Sequence, residues 1–297
     1  MSTQPTPSRY PGAQIYTDNR RAIPASQYTY QQLAEIYNQA RVDYIVPMPM
    51  NAKRMQEYVE NYDIDLDGSF VALNSDGEES GIGMLGMRGD RGWITRLGVI
   101  PDRRLRHLGQ FLMEQMIEYA IQHEARLIQL EVIVGNDPAR RLFEKLGFEE
   151  TRTLLIIRRP PGNPAPNPEF DALDVYPIPD HQIPDYLNQR ERNASWVEET
   201  ASLLNAGNLR GIRVMMPDGE ESWVVFQQTP FQLTHFVISP GVSDQAASAA
   251  LYHVHKTFPK MDTKIENVPE AHHSWHVYQS NGYLEVFRRT EMFLYLK

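Results

Sequence analysis

Apolar positions along this chain shift between helical and strand spacing, and the shifts mark out its elements. From Thr29 to Ala40, Leu33, Ile36, Tyr37 and Ala40 recur on one helical face, and Thr29 with Gln32 has the spacing of a capping box. The segment Tyr44–Met50 is apolar but broken by Pro47 and Pro49, which predicts a loop. A second helix is predicted over Ala52–Tyr62. Phe70–Asn74 and Gly81–Arg88 read as strands on either side of an Asp76-Gly77 turn, and Trp93–Ile100 as a third. Leu105–Gln122 is predicted helical, with Leu108, Leu112, Met116 and Tyr119 on one stripe. In the short strand Leu127–Val134, Ile128, Leu130, Val132 and Val134 share one face, and Gln129, Glu131 and Ile133 the other. Pro138–Leu146 is a helix with proline in its first turn and Gly147 after its end. Thr153–Arg158 is a closing strand.

Residues Pro160–Pro168 read PPGNPAPNP, a stiff, extended linker. The expected organisation is a flexible tail over 1–15, a first domain over 16–159, a linker over 160–169 and a second domain over 170–297. The second half repeats the first. Asp76-Gly77-Glu78-Glu79-Ser80 recurs as Asp218-Gly219-Glu220-Glu221-Ser222, and Pro101 is matched by Pro240. Leu130-Glu131 aligns with Ile265-Glu266, Phe143 with Tyr278, and Gly147-Phe148 with Gly282-Tyr283. Matches in the same order suggest a duplicated unit, with the second copy shortened at its strand-to-helix loop.

Composition narrows the function classes. The length of 297 residues suits two domains, and 41% hydrophobic with 23% charged residues suits a soluble globular protein. A net charge of −9 argues against nucleic acid as a partner and is compatible with a cationic or amine substrate. The absence of cysteine removes disulfides, thiolate metal sites and a cysteine nucleophile. No run approaches the roughly 18 apolar residues of a membrane span. The opening MSTQPTPSRYPGAQ is polar and Pro-rich, a loose tail rather than a signal peptide. The expectation is a cytoplasmic enzyme or binding protein with no membrane partner.

The run Leu97-Gly98-Val99-Ile100-Pro101-Asp102-Arg103-Arg104-Leu105-Arg106-His107-Leu108-Gly109-Gln110 passes from strand through a basic loop into a helix. A helix N-terminus offers unpaired N–H groups and the positive end of a dipole, so this is a candidate phosphate cradle. It matches neither a Walker loop nor G-x-G-x-x-G; a basic helix start on a solvated surface is the other reading. Downstream follow Asn136, Ala139, Leu142, Phe143, Gly147 and Phe148 at set spacing. Together the two segments resemble the GNAT superfamily of acyl-CoA N-acyltransferases. The family pattern Q/R-x-x-G-x-G/A after V-x-P is represented by Val99-Ile100-Pro101, then Arg104, His107 and Gly109. N-x-x-A-x-x-L-Y-x-x-x-G-F is represented by Asn136 to Phe148. The resemblance covers Tyr16 to about Arg159 in element order and is specific over Leu97–Phe148.

That resemblance implies an α/β (α+β) fold: two GNAT-like domains, each a mixed, mostly antiparallel twisted sheet flanked by helices, the second degenerate. It implies acetyl-CoA as cosubstrate, without metal. The backbone of Leu97, Gly98 and Val99 would pair with the pantetheine arm like an added strand. Amides from Arg104, Leu105, Arg106, His107, Leu108, Gly109 and Gln110 would hold the pyrophosphate, and Asn136, Ala139 and Phe143 would line the arm. The thioester would lie between the strands ending near Leu97 and Glu131. Two positions depart from the pattern. His107 stands where the family favours glycine, and Phe143 where it often has a tyrosine that protonates the leaving thiolate. Phenylalanine donates no proton.

Glu131 is the candidate general base, because a carboxylate in an apolar strand is suited to take a proton from an ammonium through water. The alternative is a structural or solvent-facing glutamate. Tyr44, Met48 and Met50 are candidates for walling the acceptor, a small-molecule or peptide amine, or else they pack on the protein's own core. His272, His273 and His276 on a predicted helix read as a solvated or interface face rather than a zinc site. In the second half Gly241-Val242-Ser243-Asp244 replaces the arginine loop, which implies that this copy has lost CoA binding. The sequence leaves open a non-catalytic acyl-CoA-binding protein of the same fold, and a homodimer.

Overall fold

In the computed structural model, which describes residues 20–43, 46, 48–103 and 107–296, the capping box at Thr29 forms as its spacing predicts. Thr29 Oγ1 accepts the Gln32 N–H at 3.3 Å, and Gln32 Oε1 accepts the Thr29 N–H at 2.9 Å. This fixes the start of α1 (Tyr30–Ala40), whose buried face carries Leu33, Ile36, Tyr37 and Ala40. α2 (Ala52–Asn61) is capped by the Asn51 side chain and buries Met55, Tyr58 and Val59. The expected tail over 1–15 lies outside the described residues.

Two units make up the chain. Unit 1 comprises Met1–Thr151 and Glu291–Lys297. Its strands are β1 (Arg21–Pro24), β2 (Ile64–Leu73), β3 (Glu79–Arg88), β4 (Arg91–Val99) and β5 (Leu127–Ile133), side by side in that order. Neighbours are antiparallel except β4 and β5, which are parallel. α3 (Leu108–Gln122) connects β4 to β5, and α4 (Asp137–Lys145) follows β5. Gly147 ends α4 with a φ of 93°, a conformation that suits glycine, as the sequence predicts. The core packs Leu85, Ile94, Met116, Ile128, Leu130 and Phe148 together.

Unit 2 is Arg152–Thr290. β6 (Glu149–Arg159) enters it from Arg152 onward. β7 (Asp174–Ile178), α5 (Ile183–Leu187), α6 (Thr200–Ala206), β8 (Leu209–Met215), β9 (Glu221–Gln228), β10 (Gln232–Ile238), α7 (Asp244–Thr257), β11 (Asp262–Pro269) and α8 (Ser274–Ser280) follow. The strand order β7-β8-β9-β10-β11 repeats β1 to β5, and again only the last pair, β10 and β11, is parallel. The turn glycines Gly77 and Gly219 share left-handed conformations, with φ of 83° and 90°. The duplicated sequence is thus a duplicated fold.

The sixth strand of each unit is exchanged. Beside β11 in unit 2 lies β6, antiparallel through Thr263↔Arg159 and Ile265↔Ile157, although β6 follows α4 of unit 1 in the chain. Beside β5 in unit 1 lies the end of β12 (Leu284–Tyr295), which follows α8 of unit 2. Met292 and Leu294 are buried in the unit 1 core, and the Leu296 N–H donates to Arg126 O at 2.8 Å. The division expected in the Pro-rich stretch is therefore corrected: the units part at Thr151, inside β6. Pro160–Pro168 lies within unit 2, where the Gly162 N–H donates to Pro259 O at 2.7 Å and the Arg159 guanidinium to Gly162 O at 3.2 Å. Proline content marks where helix and sheet stop. It carries no information on which strand pairs with which.

Candidate active site

β4 and β5 pair only at Arg91↔Leu127, Gly92↔Ile128 and Trp93↔Gln129. Beyond Trp93 β4 continues against β3 alone, through a bulge between Ile82↔Gly98 and Met84↔Thr95. Arg96 sits in that bulge with a φ of 54°. A bulge re-aims a strand, and here it opens β4 from β5 between the Leu97 segment and Glu131. On the β5 side, Leu97, Gly98 and Val99 have no strand partner among the described pairings, so an extended ligand has a sheet edge to meet. Gly98 is demanded by the fold itself: a Cβ there would lie 3.0 Å from the Ala40 Cβ and 3.4 Å from its carbonyl oxygen.

α3 begins at Leu108, three residues later than predicted, because Pro101–Arg103 forms a 3-10 turn and His107 takes a left-handed conformation, φ 65°. Arg104, Leu105 and Arg106 lie outside the described residues. The left-handed φ at His107 gives a reason for glycine at this place, and histidine is among the side chains that tolerate it. No described side chain caps α3. Its first-turn N–H groups, at Leu108, Gly109 and Gln110, head the helix dipole. Gly109 differs from Gly98. A Cβ at Gly109 would meet Leu142 Cδ2 at 3.5 Å and Val99 Cγ2 at 3.9 Å, ordinary contacts. Against the described residues, the fold has room for a methyl group at this position. The Gln110 side chain is buried, donating to Glu114 Oε1 and accepting from Lys145 Nζ, both at 2.8 Å.

The matching helix of unit 2 is closed by its own residues. α7 begins at Asp244, only four residues after Pro240, and Ser243 Oγ accepts the Ala246 N–H. Glu220 accepts the Ser243 N–H at 2.7 Å and its hydroxyl at 2.5 Å. A carboxylate fixed at a helix N-terminus takes the place that a phosphate would need and repels it.

Glu131 is half-buried on β5, diagonal to Trp93, and its Oε2 accepts the Trp93 indole N–H at 2.8 Å. Trp93 is buried against Tyr58 of α2 and Tyr62 just past its end, with ring centroids 6.2 and 5.8 Å away. The Tyr58 hydroxyl bonds Thr95 Oγ1 at 2.7 Å. Burial raises the Tyr58 pKa, opposed by the Arg96 charge and the Thr95 hydrogen bond and assisted by Tyr37 and Glu131. The Arg96 guanidinium lies over the rings of Tyr58 and Tyr37, at 4.3 and 5.3 Å, donates to the Tyr37 hydroxyl at 2.8 Å and reaches within 3.9 Å of Met48 Sδ. Met50 is held through its backbone by the Asn38 side chain of α1, at 2.8 and 2.9 Å. Met48 is thus brought to this cluster, Met50 anchors the end of its loop, and Tyr44 lies outside the described residues. Sequence reasoning missed Tyr37, Tyr58, Trp93, Thr95 and Arg96. The one signal for them was an arginine in the otherwise apolar run of β4.

Two expected ligand contacts have roles in the fold itself. Asn136 is the N-cap of α4, its Oδ1 accepting the Ala139 N–H at 3.4 Å, so both residues serve the helix start. The Phe143 ring is buried in the unit 1 core, 6.1 Å from Phe148, rather than set on the helix surface. Val134, placed by alternation on the buried face of its strand, lies past the end of β5 and is exposed.

In unit 2, β10 and β11 also pair at two positions only, and His235 occupies the bulge that Arg96 occupies in unit 1, with a φ of 53°. This opening is filled with paired charges. His235 Nδ1 lies 3.2 Å from Glu198 Oε1, and Glu266 binds Lys264 and Arg289 at 2.7 and 2.9 Å. Tyr278 is buried, and burial pushes its pKa well up, assisted by Glu198. At His235 burial opposes the imidazolium. The charge and hydrogen bond of Glu198, joined by Glu266 against Arg190, outweigh it and hold the group above its ordinary 6.5. Stabilisation of this kind is present below the ordinary value and is lost as pH rises through the raised one. Urea unfolding should therefore show stability falling as pH increases above 6.5, and His235→Asn, which suits the left-handed backbone, should flatten that slope. A slope unchanged in the variant would place its origin elsewhere. The predicted helical histidine face is also corrected. α8 starts at Ser274, His272 turns to Ser274 and Glu191, and His276 to Asp244. Among the described residues no group of three His, Asp or Glu side chains is placed to hold a metal ion, and no described helix is long and apolar enough to cross a membrane.

Comparison with known proteins bears on residues 31–148, which match the profile of the Acetyltransferase (GNAT) family. Eighty residues, 27% of the chain, are 30% identical to a Bacillus subtilis (strain 168) protein named "Putative [ribosomal protein bS18]-alanine N-acetyltransferase". The match spans 53% of that protein, so the chain accounts for about half the length of this curated relative. Among solved structures, the fold is similar to a GCN5-related N-acetyltransferase from Sphaerobacter thermophilus, with a TM-score of 0.68, 15% identity and coverage of 93% of this chain and 95% of that one. It is also similar to a tandem GNAT protein from the clavulanic acid biosynthesis pathway, with a TM-score of 0.62, 14% identity and coverage of 93% and 98%.

Proposed function

We propose that unit 1, in which residues 31–148 match the GNAT acetyltransferase family within a chain whose fold is similar to that of a tandem GNAT protein, is an acetyl-CoA-dependent N-acetyltransferase acting on a primary amine of a small molecule or peptide. The observation that carries this reading is the α3 N-terminus, whose N-cap His107 makes no side-chain cap hydrogen bond, set beside the stretch of β4 that diverges from β5 after Trp93 in the described pairings. The backbone amides of Leu108, Gly109 and Gln110 would hold the pyrophosphate, and Leu97 to Val99 the pantetheine arm. Glu131 takes a proton from the incoming ammonium through water. The free amine attacks the thioester carbonyl, the new C–N bond forms as the C–S bond breaks, and the thiolate leaves. The nitrogen loses its second proton to solvent as the amide forms; Phe143 has no proton to give, so solvent also protonates the thiolate, which is stable enough to leave unaided. With Glu220 closing α7, the reading assigns acetyl-CoA to unit 1 alone. It also places the reaction in the cytoplasm.

Calorimetric titration with acetyl-CoA, combined with thiol release over a panel of amines, tests this. Gly109→Ala is the decisive variant. The fold accepts the methyl group, so thermal stability should hold or rise by up to about 1 kcal/mol. Acetyl-CoA affinity should fall at least roughly tenfold, about 1.4 kcal/mol. Unchanged affinity in a folded variant removes the cradle. Tight binding without thiol release for any amine favours a non-catalytic acyl-CoA-binding protein, the reading that the buried Phe143 supports.

A further inference from the structure

Trp93 is the last residue of β4 registered on β5, and its partner there, Gln129, stands two residues before Glu131 on the same face. The indole thus reaches one step diagonally, at the point where the strands part, and its N–H meets Glu131 Oε2 at 2.8 Å. The ring has little freedom. It is 2% exposed and wedged by Tyr58 and Tyr62, while Tyr58 is itself tied to Thr95 two residues along β4. A tryptophan whose donor is buried needs an acceptor, and here the acceptor is the carboxylate at the mouth of the opening.

We propose that Trp93 is a positioning residue: it holds the Glu131 carboxylate in its ionised form and aims it into the opening between β4 and β5. The proposal rests on the transferase reading above, and it adds a residue that acts through the base without touching substrate. Other groups around this pair are Tyr37 of α1, Tyr58 of α2, Tyr62 just past its end, and Arg96 of β4. A change at the Trp93 indole on acid titration that disappears in Glu131→Gln therefore reports on the carboxylate.

Two measurements test it, and the first needs no turnover. The chain has four tryptophans, and the Trp93 indole signal in a 15N-resolved NMR spectrum is the one lost in Trp93→Phe. It should move on acid titration of the wild type and stand still in Glu131→Gln. If Trp93→Phe does not fold, wild-type and Glu131→Gln spectra still decide, since one indole must lose its pH response. An indole indifferent to Glu131→Gln overturns the coupling. The second measurement is kinetic. Trp93→Phe should lower kcat/KM roughly ten- to hundredfold, the worth of one hydrogen bond to a charged group. Loss of that bond disfavours the ionised carboxylate, so the acid limb of the profile should move to higher pH. The double variant with Glu131→Gln should be no slower than Glu131→Gln alone. Additive losses, or an unmoved acid limb, overturn the positioning role. Wild-type protein that transfers acetyl to no amine while the indole still tracks Glu131 overturns the transferase reading, and with it the catalytic meaning of the contact.

Discussion

A chain ending at Thr290 should lose the cooperative unfolding of unit 1 while unit 2 still melts as a unit. Residues Glu291–Lys297 belong to unit 1, where Met292 and Leu294 are fully or almost fully buried among Leu85, Ile94, Ile128 and Leu130. Truncating one such side chain costs roughly 2–5 kcal/mol. Removing two, together with the strand that carries them, approaches the roughly 5–15 kcal/mol that holds a whole domain together. Met292→Asp with Leu294→Asp in the full chain should do the same, by burying charge without a partner. Two resolved transitions in the wild type, by calorimetry or by hydrogen exchange, should become one. A truncated chain that keeps unit 1 protected would show that the exchanged strand is an accessory. The same result bears on any attempt to isolate the family-like half. Residues 1–159 lack their sixth strand and should be poorly folded, although the match to the GNAT family ends at Phe148.

Glu131→Gln should lower kcat by about a hundred- to ten-thousandfold, the usual worth of a positioned general base. Acetyl-CoA affinity should be unchanged, because the binding groups proposed lie on α3 and β4. The substitution is mild for the fold, since an amide oxygen still accepts the Trp93 N–H. With the base removed, the residual rate should climb with pH as free amine replaces ammonium. Wild type should instead level off once Glu131 is ionised. Turnover and pH profile equal to wild type would return Glu131 to a structural role.

Much of the fold was legible because it is written in local signals. The Thr29–Gln32 box, the Asp76-Gly77 turn and Gly147 after α4 act within a few residues, and each formed as read. The strand exchange was illegible for the converse reason. β6 and β12 have ordinary strand alternation, and nothing in Thr153–Arg158 tells whether its partner will be β5 or β11. The site divides similarly. Leu97 to Gly109 could be read because a strand, a turn and a helix start are contiguous in the chain. Asn136 caps α4 and Phe143 packs in the core of unit 1, and spacing alone does not distinguish such a residue from one that faces a ligand. The Trp93–Glu131 contact joins residues 38 positions apart, and it depends on the register of β4 and β5.

The exchanged strand also governs when unit 1 can close. Thr151 at the head of β6 and Glu291 in β12 are bonded across 140 positions of sequence. A nascent chain therefore carries every residue of the proposed cradle, and Glu131 with it, long before the domain that uses them can close. At translation rates of about 5–20 residues per second, the half-made unit waits for several seconds with one flank of its sheet uncovered. A message cut short or a ribosome stalled late in unit 2 would leave unit 1 without Met292 and Leu294 in its core. The proposed acetyl transfer would thereby wait on synthesis of β12.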